Sequence, residues 1–140
     1  MGNEYESLAA RVKYCIDAFG EAKPFRLPQE GNLDLAFEGW EISAVDDSAL
    51  RPDRATVDVC TFYTKRGSYV VELVRHVPNR AGPEHPHLTR VKAAAFANAP
   101  ELLQWLIADG RGWLGENSKQ AWEGLCGKLP WLAERMTIQV

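Results

Sequence analysis

His76, His85 and His87 fall within one stretch, Arg75 to Lys92, and the chain has no other histidines. Positions two apart in an extended chain share a side. His85 and His87 can therefore offer two imidazoles to one metal, with His76 closing in from the end of the preceding strand. Three histidines with an open fourth position is one catalytic zinc arrangement. The neighbouring residues argue for a different use. Pro78, Pro83 and Pro86 remove backbone donors and hold the chain extended, so it cannot join a sheet. Asn79 and Gly82 supply turn chemistry. Apart from Glu84, no carboxylate stands at a spacing that would fix a histidine tautomer. Arg75, Arg80 and Arg90 repel a divalent ion. Residues 78–87 therefore read as an exposed recognition loop, with no metal, cofactor or catalytic residue. The expected partner-binding residues of the stretch are Arg75, Arg80, His85, His87 and Arg90. Lys92 extends the basic edge, and Glu72 and Glu84 temper it.

Other patterns fail on their own chemistry. Gly110-Arg111-Gly112-Trp113-Leu114-Gly115 spells G-x-G-x-x-G. A dinucleotide site needs a strand before such a loop and a helix opening within it. Here a helix precedes the loop, so the cofactor reading is rejected. Arg111, Lys119 and the free N–H groups near Asn117 could hold an anion at a helix start, although a plain helix-to-helix connection explains the glycines as well. Trp113, beside Arg111, is expected at a surface of the kind protein interfaces use. The alternative is that it plugs the space between the two C-terminal helices.

Pro52-Asp53 lacks the later Glu-x-Lys of a metal-dependent nuclease, because the next strand offers Glu72-Leu73-Val74. Asp46, Asp47, Asp53 and Asp58 do not have calcium-loop spacing. Cys60 and His76 could be written as nucleophile and base, but a cysteine inside an apolar strand is ordinarily core.

The elements that must position these residues follow from periodicity. Tyr5, Leu8, Val12, Cys15, Ile16 and Phe19 form one apolar stripe and predict a helix from residue 4 to 19, capped by Asn3 and ended by Gly20. Lys23 to Pro28 is expected to break regular structure. Leu33, Leu35 and Phe37 alternate, as do Trp40 and Ile42, with a change of phase at Glu38-Gly39. A hairpin turn is the preferred reading there and a bulged strand the alternative. Thr56 to Tyr63 and Tyr69 to Val77 form a hairpin across Thr64–Ser68. Their apolar residues on both faces place them centrally in a sheet. Leu88 to Phe96 is expected as a further strand. Asn98-Ala99-Pro100-Glu101 starts a helix carrying Leu102, Leu103, Leu106 and Ile107. Asn117 with Gln120 repeats the capping pattern before Ala121, Trp122, Leu125, Cys126 and Leu129. Gly124 weakens that helix, Pro130 starts a short turn, and Met136 to Val140 alternates as a last strand would.

A chain of 140 residues is near the commonest domain size, and residues 1–140 are expected to form one domain. The net charge of −3 argues against general nucleic-acid binding, which favours a basic domain, without removing a local basic patch. No signal region and no membrane span is legible, and the three scattered cysteines read as reduced and buried. A cytoplasmic location follows.

The expected fold is α+β: an N-terminal helix, a mainly antiparallel sheet of four to six strands, and C-terminal helices packed on one face. The expected function is a small non-catalytic protein-binding module, such as a chaperone, an immunity-type inhibitor or an adaptor. Its partner is expected to be a protein, and homodimer formation is left open. The alternatives are a metal-dependent enzyme built on the three histidines and an anion or nucleic-acid binder.

Overall fold

The architecture comes from a computed structural model that describes residues 4–29, 31–46, 56–77, 88–108 and 116–135. Helix α1 (Leu8–Phe19) leads into five strands: β1 (Lys23–Leu27), β2 (Leu35–Val45), β3 (Thr56–Thr64), β4 (Tyr69–Val77) and β5 (Leu88–Phe96). Helices α2 (Ala99–Ala108) and α3 (Glu116–Lys128) and a 3₁₀ turn (Pro130–Arg135) follow. The strands form one antiparallel sheet in sequence order, β1-β2-β3-β4-β5, with β3 at its centre. The fold is α+β, with the helices packed against a curled sheet, as the periodicities predict.

Several local readings are corrected. Helix α1 starts later than expected, because Ser7 and not Asn3 caps it: the Ser7 hydroxyl accepts the Ala10 N–H at 3.1 Å. Tyr5 instead joins Tyr14 and Trp131 in an aromatic cluster. Leu8 and Ile16 of the apolar stripe stay exposed, while Cys15 is fully buried. Gly20 ends the helix with φ +92° and donates to the Ile16 carbonyl.

Lys23–Leu27 is a strand and not a break. β1 is an edge strand, where proline is tolerated, so Pro24 does not prevent pairing. Between Glu38 and Gly39 the chain does not turn. β2 runs through, and its register against β3 slips between Glu41 and Ser43. The phase change in the sequence is this bulge. It lets both Ile42 and Ser43 be buried. Gly39 is needed within β2 because a Cβ there would collide with the Tyr63 carbonyl.

The β3–β4 hairpin closes through Thr64 and Ser68, with Gly67 at φ +87°. The cap of α2 is reciprocal, as predicted: the Glu101 N–H donates to Asn98 Oδ1 and Asn98 Nδ2 donates to Glu101 Oε1, both at 3.0 Å. Asn117 does not cap α3. It lies one residue inside the helix and donates from Nδ2 to the Val57 carbonyl at 2.6 Å, tying α3 to β3. The alternating residues 136–140 lie outside the described residues.

The main core is formed where the helices meet the sheet. Trp40, Ile42, Val59, Tyr63, Tyr69, Val71 and Leu73 pack against Cys15, Leu102, Leu106, Trp122, Leu125 and Leu129. Truncating any of these leucines to alanine would cost about 2–5 kcal/mol. Within this core Ser43 Oγ lies 2.5 Å from Thr61 Oγ1 and donates to the Ala121 carbonyl at 2.8 Å, which satisfies the buried hydroxyls and fixes α3 to β2 and β3.

Gly124 allows that approach. A Cβ on Gly124 would lie 2.9 Å from Ser43 Cβ, whereas one on Gly127 would meet nothing within 4 Å. Glycine to alanine in a helix normally stabilises by up to about 1 kcal/mol. Gly127→Ala should follow that rule. Gly124→Ala should reverse it and destabilise by about 1–3 kcal/mol through overpacking. Urea unfolding midpoints of the two variants check this. Shifts in the same direction would contradict the close helix–sheet contact.

Candidate functional site

Side chains alternate across a strand, so each strand supplies one row to the helix side and one to the other side. On the second side, Leu27, Phe62, Val70 and Ala93 are buried, with Phe25, Leu35, Phe37 and Cys60 packed around them. Among the described residues no helix contributes to this cluster. Three phenylalanines hold it together. Phe25 stacks on Phe37 at 5.4 Å between ring centres, and both meet Phe62 edge-on at 5.1 and 5.4 Å. Such pairs add about 0.5–1.5 kcal/mol beyond their burial.

A groove of about 850 Å³ opens beside this cluster. Phe25, Leu35, Phe37, Val70 and Ala95 supply its apolar lining. Phe25 is on β1 and Ala95 on β5, so the curl of the sheet brings both edges to one groove. Arg26, Lys65 and Arg66, together with Glu38, line its charged end. Arg26 pairs with Asp34 and Lys65 with Glu38, each at 3.5 Å and each exposed. Such surface pairs contribute about 0–1 kcal/mol and exchange readily for another anion. Arg66 has no ion-pair partner among the described residues.

Two carboxylates stand on the same face, one level with Phe62 and one a pleat beyond it. Glu41 lies opposite Phe62, and Glu72 opposite Cys60. The Cys60 thiol is pushed up to about 12, first by burial and then by the charges of Glu41 and Glu72. Burial, then Glu41, raises the Glu72 carboxyl above its ordinary value. Beyond them, His76 Nε2 and Asp58 Oδ2 are 2.8 Å apart. Asp58 Oδ1 is buried with no hydrogen-bond partner among the described residues.

This geometry excludes a Cys60–His76 nucleophile and base. His76 is the register partner of Thr56, four positions along β3 from Cys60, or about 13 Å at strand rise. A thiol raised by neighbouring carboxylates is also a poor nucleophile. The premise that only Glu84 could orient a histidine is corrected, because Asp58 holds His76. Among the described residues no group of His, Cys, Asp and Glu could hold a metal ion.

The residues expected to bind a partner divide sharply. Arg75 and Arg90 are register partners across β4 and β5. Arg80, His85, His87, Arg111 and Trp113 lie outside the described residues. Val77 pairs with Leu88, so residues 78–87 connect two hydrogen-bonded strands. The basic end of β4 and β5 is thus at the opposite end of those strands from the groove. Sequence reasoning did not find the groove. The signal was present: Phe25 and Leu27, then Leu35 and Phe37, alternate in a phase opposite to Trp40. It was hidden because Pro24 and Pro28 suggested a break.

No helix among the described residues is long and apolar enough to cross a membrane. Comparison with protein families, curated proteins and solved structures finds no match to this chain.

The shielded thiols give the fold a defined alkaline limit. Unfolded cysteine ionises near roughly 8.5, whereas Cys15 and Cys60 keep their protons in the folded chain until about 12. Above the unfolded value the unfolded chain binds fewer protons, so stability falls as pH rises through this window, and below it these groups have no effect. Urea midpoints at neutral pH and at about pH 10 should therefore drop more in the parent chain than in Cys60→Ala. Equal drops would show that the Cys60 thiol is not shielded.

Proposed function

We propose that the chain is a non-catalytic protein-binding module that holds an extended segment of its partner in the groove beside the phenylalanine cluster. One observation carries this reading: an apolar groove, lined at one end by Arg26, Lys65, Arg66 and Glu38, lies on the sheet face that receives no described helix. An open apolar surface with a polar rim is what recognition of another protein uses. The absence of a workable nucleophile–base pair at Cys60 and His76 fits a binding role better than a catalytic one. In this reading the basic end of β4 and β5, with Arg75 and Arg90 at one register position, is a second contact surface. The three free cysteines favour a reducing compartment such as the cytoplasm.

A photo-crosslinking amino acid at Ala95, which is exposed and lines the groove, tests the proposal in cells making the protein. Discrete protein adducts should form from position 95. They should be weak or absent from Lys13, which is exposed on α1. Equal adduct patterns from the two positions, or none from position 95, would overturn the reading.

A further inference from the structure

The groove and the carboxylates beyond it lie on one face and carry opposite charge. Resting on the binding reading above, we infer that the occupant is an extended polypeptide segment of polarised charge. Acidic residues lie at the end near the β3–β4 turn, apolar or aromatic side chains in the middle, and a basic residue at the far end.

Register fixes the order of these zones. Lys23, Gly39 and Thr64 align across β1, β2 and β3. Arg26 on β1 and Lys65 and Arg66 in the turn therefore all lie at the turn end of the sheet. Val70, Phe62 and Glu41 share the next register position on this face, and Glu72, opposite Cys60, follows one pleat farther on. Arg26, Lys65 and Arg66 against Glu38 leave a local positive excess in a chain of net charge −3. An acidic side chain there would replace the weak exposed pairs of Arg26 and Lys65 and give Arg66 a partner. Glu72 lies beyond the apolar centre and Glu41 lies level with it across β3, and a lysine or arginine of the occupant reaching Glu72 would relieve the repulsion between the two carboxylates. From Ser68, which lines the groove, to Glu72 is four strand positions, or about 13 Å. In an extended occupant every second side chain faces the sheet. The acidic and basic residues should therefore stand about four positions apart, with an apolar residue facing the sheet between them.

Selection from a displayed library of random heptapeptides tests both claims. The baits are the parent chain, Ala95→Trp, which fills the groove from an exposed position, and the double variant Lys65→Glu with Arg66→Glu, also at exposed positions. The parent should enrich peptides with an acidic residue, apolar centre and basic residue in that spacing. Ala95→Trp should abolish the enrichment. The double reversal should weaken the selected peptides by at least about tenfold and select peptides basic at both ends. No enrichment, or enrichment unchanged by Ala95→Trp, would overturn the groove as a binding site. Enrichment that Ala95→Trp abolishes, but with no charge order or no response to the double reversal, would overturn the polarised occupant and leave the groove reading standing.

Discussion

The buried contact of Ser43 with Thr61 and the Ala121 carbonyl is the constraint on which the remaining packing depends. Two hydroxyls taken out of water must find partners, since an unsatisfied buried polar group costs about 1–3 kcal/mol. These find each other and one helix carbonyl, so α3 can sit in only one place on β2 and β3. The bulge in β2 puts Ser43 at that position, and Gly124 lets the helix come close enough to meet it. Other ties run in the same direction. Asn117 donates to Val57, Tyr14 to the Lys128 carbonyl, and Trp131 to the Tyr69 hydroxyl. Together they commit α1, α3 and the 3₁₀ turn to one side of the sheet.

The consequence for the second side follows from alternation. Every β-strand presents a row to each face, and Phe25, Phe37, Phe62 and Val70 are apolar although no described helix reaches them. The sheet's own answer is its curl, which packs the phenylalanines against each other and buries Phe62 and Val70. The curl leaves a trough between the two edges, with Arg26, Lys65 and Arg66 toward one end, Glu41 beside Phe62 and Glu72 beyond. A face organised this way stabilises the domain through its own aromatic contacts.

Much of this architecture is legible in the residues. The β3–β4 hairpin, β5 and α2 announce themselves through β-branched alternation, a glycine turn and an asparagine–proline–glutamate helix start. What is not legible depends on contacts between distant segments. Pro24 looks like a breaker until the strand is known to be an edge. The slip after Trp40 looks like a turn until β3 is known to run beside both halves of β2. Asn117 looks like a cap until Val57 is seen to need a donor. Asp58, the third residue of β3, gives no hint in sequence of its bond to His76. The histidine-rich stretch drew attention because its residue types are chemically distinctive, whereas the groove is made of ordinary apolar residues that only the curl of the sheet assembles.

The central claim is that one sheet face is covered by helices while the other carries a groove that no described helix covers. Residue-resolved relaxation by a soluble gadolinium chelate measures this directly in solution. The account predicts strong relaxation at Ala36, Lys65, Arg66 and Ala95 and little at Val59, Ala121 and Leu125, which are fully buried on the helix side. Groove residues protected as fully as Ala121 would contradict it, because the face assigned to a partner would then already be closed.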